Sequence, residues 1–286
     1  MTRRPPKACV VGWPIEHSRS PLIHRYWLKK YAIAGSYERV AVPPQEIETF
    51  LTSLAANGYV GCNVTVPFKE AAYRLLAHAE PMAKRLKAAN TLWLDAGRLH
   101  GSNTDVHGFL AGMGEEAPGW RDEEGPVVLL GAGGAARAIA AGLADLGRKR
   151  LRIVNRTPAR AETLLGELRI EAEIFDWADC ARALEGARLV VNATSLGMTG
   201  APPLEIDLAP LDPRAIVADI VYAPLTTDLL AAARKRGHRT VGGLGMLIHQ
   251  AAPGFARWFG RWPEVTDELR ALLKRDIESK RWSFSD

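Results

Sequence analysis

Residues 127–138 read VVLLGAGGAARA, and no other stretch of the chain limits its fold so tightly. Four apolar residues make a short buried strand. Gly131, Gly133 and Ala136 then fill the three small positions of a GxGxx(G/A) turn that opens a helix. The first glycine permits the tight turn, the second lets a pyrophosphate approach the backbone, and the alanine lets helix and strand pack closely. The helix start offers free N–H groups and a partial positive charge to phosphate. A glycine fingerprint alone also fits a purely structural turn. Here the strand before it, the helix after it and a further strand about 20 residues on agree with the dinucleotide motif.

The end of that further strand indicates which dinucleotide. An acid there would hold a ribose 2′-hydroxyl. The chain has NRTPAR instead, with Arg156 and Arg160 one turn apart and no carboxylate. Two guanidiniums suit a 2′-phosphate, so NADP is the expected cofactor, against the plainer reading of a solvated basic turn.

Short β-rich runs alternate with helical patterns on both sides of this motif. The first series is KACVVG (7–12), YERVAV (37–42) and GCNVTV (61–66), with helical patterns at 21–32, 43–56 and 70–77. The second is VVLLG (127–131), LRIVN (151–155), LVVNAT (189–194), AIVADIVY (215–222) and RTVGG (239–243), with helices at 135–147 and 226–237 among those between. The stretch MGEEAPGWRDEEGP (113–126) reads as a surface connection between the series. This rhythm predicts an α/β protein of two domains with mainly parallel sheets, the second of Rossmann type. Helices after Gly243 are expected to return to the first domain. The expected boundaries are 1–104 together with 243–286, and 105–242.

Composition narrows the function classes. The net charge of +5 comes from Lys and Arg spread along the chain, whereas a nucleic-acid binder concentrates charge on one face. The three cysteines are far apart and in no CxxC spacing, which suits a reducing compartment. No histidine pair or His/Cys cluster has metal-ligand spacing, so no metal is expected. No run approaches the ~20 apolar residues of a membrane span. A cytoplasmic enzyme of small anionic molecules fits these numbers, with no nucleic-acid or membrane partner.

The first domain carries several polar residues at strand ends. In NVTVPFKE a strand runs through a proline turn to Lys69, either a solvated turn lysine or a group that works on substrate. In HSRSP, Ser20 before Pro21 is a natural helix N-cap. Ser18 is not needed for capping, and the two hydroxyls beside free helix N–H groups also suit a carboxylate. Asn90 and Asp105 lie around a short strand pair and on their own are ordinary loop residues.

HSRSP, NVTVPFK, NTD, GAGGAARA, NRTPAR, NATSLGM, DIVY and GGLGMLIHQA occur here in the order found in shikimate dehydrogenases, from Gly12 to about Gln250. The chain therefore resembles that family. The resemblance implies NADPH-dependent, reversible reduction of 3-dehydroshikimate to shikimate on the route to chorismate and the aromatic amino acids, by a monomer or homodimer. It implies that Lys69 is the general acid/base and that Asp105 pairs with it and holds the reacting hydroxyl. It assigns Ser18 and Ser20 to the substrate carboxylate, and Thr65, Asn90, Tyr222 and Gln250 to other substrate contacts. Its cofactor contacts map onto Gly131, Ala132, Gly133, Gly134, Ala135, Asn155, Arg156, Thr157, Arg160, Ile220 and Gly243.

Two positions depart from the family pattern. Lys87 stands where a glycine is frequent, and Ile220 where some members have methionine. Ser195 of NATSLGM lacks a nucleophile elbow and an evident base, which argues against a hydrolase. Met246 and His249 read as packing or surface residues. Two rivals are a quinate/shikimate dehydrogenase that uses NAD and a non-catalytic dinucleotide sensor. The Ser18–Ser20 pair and Arg156 argue against the first, and the joint presence of Lys69 and Asp105 against the second.

Overall fold

The structure, a computed structural model, describes residues 4–279. Its contacts divide the chain into two units, one of residues 4–104 and 250–273, the other of residues 105–249 and 274–279.

The first unit contains β1 (Lys7–Gly12), α1 (Ser20–Lys30), β2 (Ser36–Ala41), α2 (Ile47–Thr52) and β3 (Gly61–Val64). It continues through α3 (Lys69–Arg74), β4 (His78–Ala79), α4 (Pro81–Leu86), β5 (Thr91–Asp95) and β6 (Arg98–Ser102). The strands form one sheet in the order β2-β1-β3-β5-β6-β4. β1, β2 and β3 are parallel, as the apolar run-and-helix rhythm indicates, with Cys9 opposite Cys62 and Val11 opposite Val64. β5 runs antiparallel to β3 and pairs with β6 in a hairpin. The hairpin loop is Ala96–Gly97, both at positive φ, which matches the right-handed strand twist.

The buried cluster of Cys9, Val11, Leu51, Cys62, Val64 and Phe68 includes residues of β1, α2 and β3. A separate aromatic cluster joins α1 to residues 250–259. Trp27 meets Phe255 edge-on at 5.3 Å, and the Trp258 indole donates to the Leu92 carbonyl at 2.9 Å.

The second unit contains α5 (Asp105–Glu116), β7 (Val127–Leu130), α6 (Gly134–Asp145), β8 (Leu151–Val154), α7 (Pro158–Leu168) and β9 (Glu173–Phe175). α8 (Cys180–Leu184), β10 (Leu189–Asn192), β11 (Ile216–Asp219), α9 (Asp228–Lys235) and β12 (Arg239–Val241) follow. Its sheet is parallel throughout, in the order β12-β11-β10-β7-β8-β9. Counted from β7 as first strand this is 3-2-1-4-5-6, the doubly wound order with a switch point between β7 and β10. α10 (Gly243–Phe259) gives its first turns to this unit and the rest to the other, and α11 (Asp267–Ser279) ends the described chain.

Three local expectations are corrected. The connection at 113–126 is not all surface: α5 runs on to Glu116, and Trp120 is buried. Ser20 is not an N-cap but the first residue of α1, with Arg19 in the cap position. The Ser18 hydroxyl accepts the Ser20 N–H at 3.4 Å, so the serine not needed for capping is the one that serves the helix start. GCNVTV leaves the sheet at Val64, because Thr65 to Phe68 already form a turn closed by the Phe68 N–H on the Thr65 carbonyl.

Candidate functional site

Register alone gathers one set of polar residues at a single edge of the first sheet. β1 and β3 are parallel and end together, and β5, antiparallel to β3, begins where β3 ends, Thr91 standing opposite Asn63. β6 ends opposite the start of β5, Ser102 against Thr91. The segments leaving β1, β3 and β6 and the segment entering β5 therefore share this edge. They carry Ser18 and Ser20, Thr65 and Lys69, Thr104, and Asn90 respectively.

Each is held by backbone. The Thr65 N–H bonds the Val11 carbonyl at 3.0 Å, and the Lys69 carbonyl accepts the Ala89 N–H at 2.9 Å. Phe68, buried just before it, anchors the turn, so half-buried Lys69 opens α3 from a fixed base. Arg39 on β2 holds the Ser18 loop with two bonds to the Ser18 carbonyl, at 2.8 and 2.6 Å.

Asn90 is the most constrained member. Its side-chain oxygen accepts from the Thr104 N–H at 2.9 Å and from the Thr91 hydroxyl at 3.1 Å. A backbone N–H can only donate, so the amide oxygen is assigned and its NH2 is aimed the other way as a donor. The Thr104 hydroxyl donates to the Gln250 carbonyl at 2.8 Å, which brings Gln250 to the same edge. Asp105, next in the chain, is buried and opens α5.

Beneath this edge lies a network that the sequence reading missed. The Tyr37 phenol donates to the Asn63 side-chain oxygen at 2.6 Å, and the Asn63 NH2 donates to the Asn90 carbonyl at 3.0 Å and the Thr91 hydroxyl at 3.1 Å. Burial pushes the Tyr37 phenol well above its ordinary pKa, so it stays a donor. The fully buried ring of His24 stacks on Tyr37 at 3.9 Å, and among the described residues neither ring nitrogen has a hydrogen-bond partner. Burial pushes its pKa down to about 3, against a smaller upward pull from the Asn63 side chain. The available signal was Asn63, a polar residue inside the apolar run GCNVTV, because a buried amide needs partners.

In the second unit the fingerprint turn behaves as its residues dictate. Gly131 has φ +104°, and a Cβ there would come within 2.9 Å of Thr194 Cγ2. Gly133 and Gly134 are exposed, with open space where their Cβ atoms would stand. Half-buried Ala132 and Ala135 flank them, and Ala136 is fully buried against the strand. The helix-start N–H groups of α6 thus face an open cradle. At the end of β8 the Asn155 NH2 donates to the Thr157 carbonyl, and Arg156 and Arg160 are exposed. Neither arginine pairs with a carboxylate among the described residues, so both guanidiniums are available to a phosphate.

Across the switch point, Asn192 ties the loops after β10 and β11 together. Its oxygen accepts the Thr194 N–H and hydroxyl, and its NH2 donates to the Leu196 carbonyl and to Asp219. Half-buried Ile220 and Tyr222 follow β11. A Cβ on Gly243 would stand 2.1 Å from the Ile220 carbonyl oxygen, so only glycine lets α10 begin there. Met246 lines a cavity of ≈ 10 Å³ beside Phe109, Ile220 and Gly243 and is packing. The His249 ring meets the Glu115 carboxylate at 2.7 Å. Among the described residues, no group of three His, Cys, Asp or Glu is placed to hold a metal ion. No helix among them is long and apolar enough to cross a membrane.

Three family models match: a shikimate dehydrogenase substrate binding domain over residues 10–92, shikimate/quinate 5-dehydrogenase over 120–199, and a shikimate 5′-dehydrogenase C-terminal domain over 243–272. The chain is 55% identical over 278 residues to the shikimate dehydrogenase (NADP(+)) of Methylocella silvestris, covering 97% of this chain and 99% of the relative. Among solved structures, a shikimate 5-dehydrogenase from Thermus thermophilus in complex with NADP(H) and shikimate superposes with TM-score 0.83 at 34% identity, over 95% of this chain and 99% of that one. A quinate dehydrogenase from Corynebacterium glutamicum in complex with NAD superposes with TM-score 0.86 at 32% identity, over 94% and 98%.

Proposed function

The chain belongs to the shikimate dehydrogenase family, and from that premise we propose that it interconverts 3-dehydroshikimate and shikimate with NADP(H). Residues 4–104 and 250–273 carry most of the substrate contacts in this reading, and residues 105–249 carry the cofactor contacts. The observation that carries the reading is the convergence of Ser18, Ser20, Thr65, Lys69 and Asn90, from three separate segments, on one edge of the first sheet. Such a reaction supplies the route to chorismate and the aromatic amino acids.

Ser18 and Ser20 would hold the substrate carboxylate at the start of α1. Thr65, Tyr222, Gln250 and the fixed NH2 of Asn90 would bind the remaining ring oxygens. The chemistry that NADPH supplies when bound is hydride donation from C4 of its nicotinamide ring. Lys69 gives a proton to the carbonyl oxygen in reduction and takes it back from the hydroxyl in oxidation, with Asp105 holding both the hydroxyl and the ammonium.

Gly131, Ala132, Gly133, Gly134 and Ala135, with the start of α6, would cradle the pyrophosphate. Asn155, Arg156, Thr157 and Arg160 would surround the 2′-phosphate. Ile220 and Gly243 would pack on the nicotinamide. We place the enzyme in the cytoplasm, because all three cysteines are free and buried.

The likeness to a quinate dehydrogenase favours a second reading, quinate oxidation with NAD. Initial rates with shikimate or quinate, each with NADP+ or NAD+, separate the two. Turnover confined to shikimate with NADP+ is expected, and turnover of quinate with NAD+ at a similar rate would replace the first reading by the second.

A further inference from the structure

Asp219 ends β11 with a carboxylate that is only 2% exposed. It accepts from the Asn192 NH2 at 3.0 Å and the Val221 N–H at 3.0 Å on one oxygen, and from the Thr227 hydroxyl at 2.7 Å on the other. Thr227 in turn accepts the Leu230 N–H, so its own proton points to Asp219. Every partner donates, which is the pattern of an ionised carboxylate. Burial raises its pKa above the ordinary carboxylate value, and these three bonds offset that rise only in part. Among the described residues no Lys, Arg or His pairs with it.

A buried charge without a partner is costly, and asparagine in its place would keep most of the bonds without that cost. The position suggests what the charge faces. With the pyrophosphate over Gly131–Gly134 and the 2′-phosphate at the end of β8, the other end of a dinucleotide falls across the switch point, over the ends of β10 and β11. That end is the nicotinamide, positively charged when oxidised and neutral when reduced. Asp219 lines the small cavity that Ile220 and Gly243 also line.

We propose that the Asp219 carboxylate is a fixed counter-charge for the oxidised nicotinamide, strengthening NADP+ binding relative to NADPH. The proposal rests on the dinucleotide reading above. It gives Asp219 a role through its field, beyond fastening the loops after β10 and β11.

The test uses the full-length protein and its Asp219→Asn variant, with NADPH binding followed by its fluorescence and NADP+ binding by calorimetry. The ratio Kd(NADP+)/Kd(NADPH) should rise about fivefold or more in the variant, since even with the dielectric of bulk water two close unit charges interact by that order. A loss of loop geometry alone would weaken both forms equally, and an unchanged ratio overturns the proposal while the dinucleotide reading stands. Wild-type protein that binds neither form overturns both. If Asp219→Asn does not fold, Asp219→Ser carries the same test, since its hydroxyl can still accept the Val221 N–H and it too is neutral.

Discussion

The phenol of Tyr37 donates to the side-chain oxygen of Asn63 across the β1–β3 half of the first sheet, and that one bond underlies the whole Asn90 edge. Asn63 spends its NH2 on the Asn90 carbonyl and Thr91. Tyr37→Phe leaves a buried amide oxygen without its donor, and urea unfolding should show a loss of about 1–3 kcal/mol. Tyr37→Phe,Asn63→Leu, which removes both partners, should cost less than the sum of the two single changes. Additive losses would mean the two side chains do not act as a unit.

His24 should make stability fall with acid. Its folded pKa is about 3, below the ~6.5 of an unfolded histidine, so the unfolded chain takes up the proton first as pH drops. Its contribution is fully present above pH ~6.5 and is lost progressively down to pH ~3, about 2 kcal/mol of it between pH 7 and 5. His24→Phe should flatten that part of the stability–pH curve from denaturant titrations. A curve of unchanged slope in the variant would assign the acid sensitivity to other groups.

Lys69→Ala should lower kcat by roughly 10²–10⁴-fold, the usual worth of a positioned acid–base group. Shikimate Kd should move less than about fivefold, because proton transfer counts mainly in the transition state. A rise in KM with kcat kept would make Lys69 a binding residue only.

Arg156→Ala should weaken NADP+ about tenfold or more while NAD+ changes little, since only the former carries a 2′-phosphate. Calorimetry with both cofactors reads this directly. Equal losses for the two would move Arg156 away from the 2′-phosphate.

The α/β alternation was legible because each long strand is an apolar run bounded by turn residues and followed by a helical period. β4, of two residues, and β9, Glu173–Phe175, were not, because so short a segment shows no period. The start of α5 was hidden because Asn103, Thr104 and Asp105 spell a turn as readily as a helix opening. The serines at 18 and 20 exchanged roles at the helix start for a similar reason, since either hydroxyl can serve one. Which residues share an edge required the register of β5 against β3, a long-range pairing that no local pattern encodes. Tyr37 and Asp219 were invisible as network members for the same cause. Their partners Asn63 and Asn192 lie 26 and 27 residues away.

The aromatic cluster of the first unit has its members at Trp27 and Tyr37 on one side and at Phe255 and Trp258 on the other. On the ribosome these halves emerge more than two hundred residues apart. The sheet of residues 7–102 therefore leaves the exit tunnel with its Trp258 seat vacant and its aromatic face open to water, while residues 105–249 are made in one uninterrupted stretch. Vectorial synthesis thus lets the body of the second unit, residues 105–249, fold before the first unit has its residues 250–273. A nascent chain truncated before Phe255 should expose that face to chaperones and proteases, which the finished protein denies them.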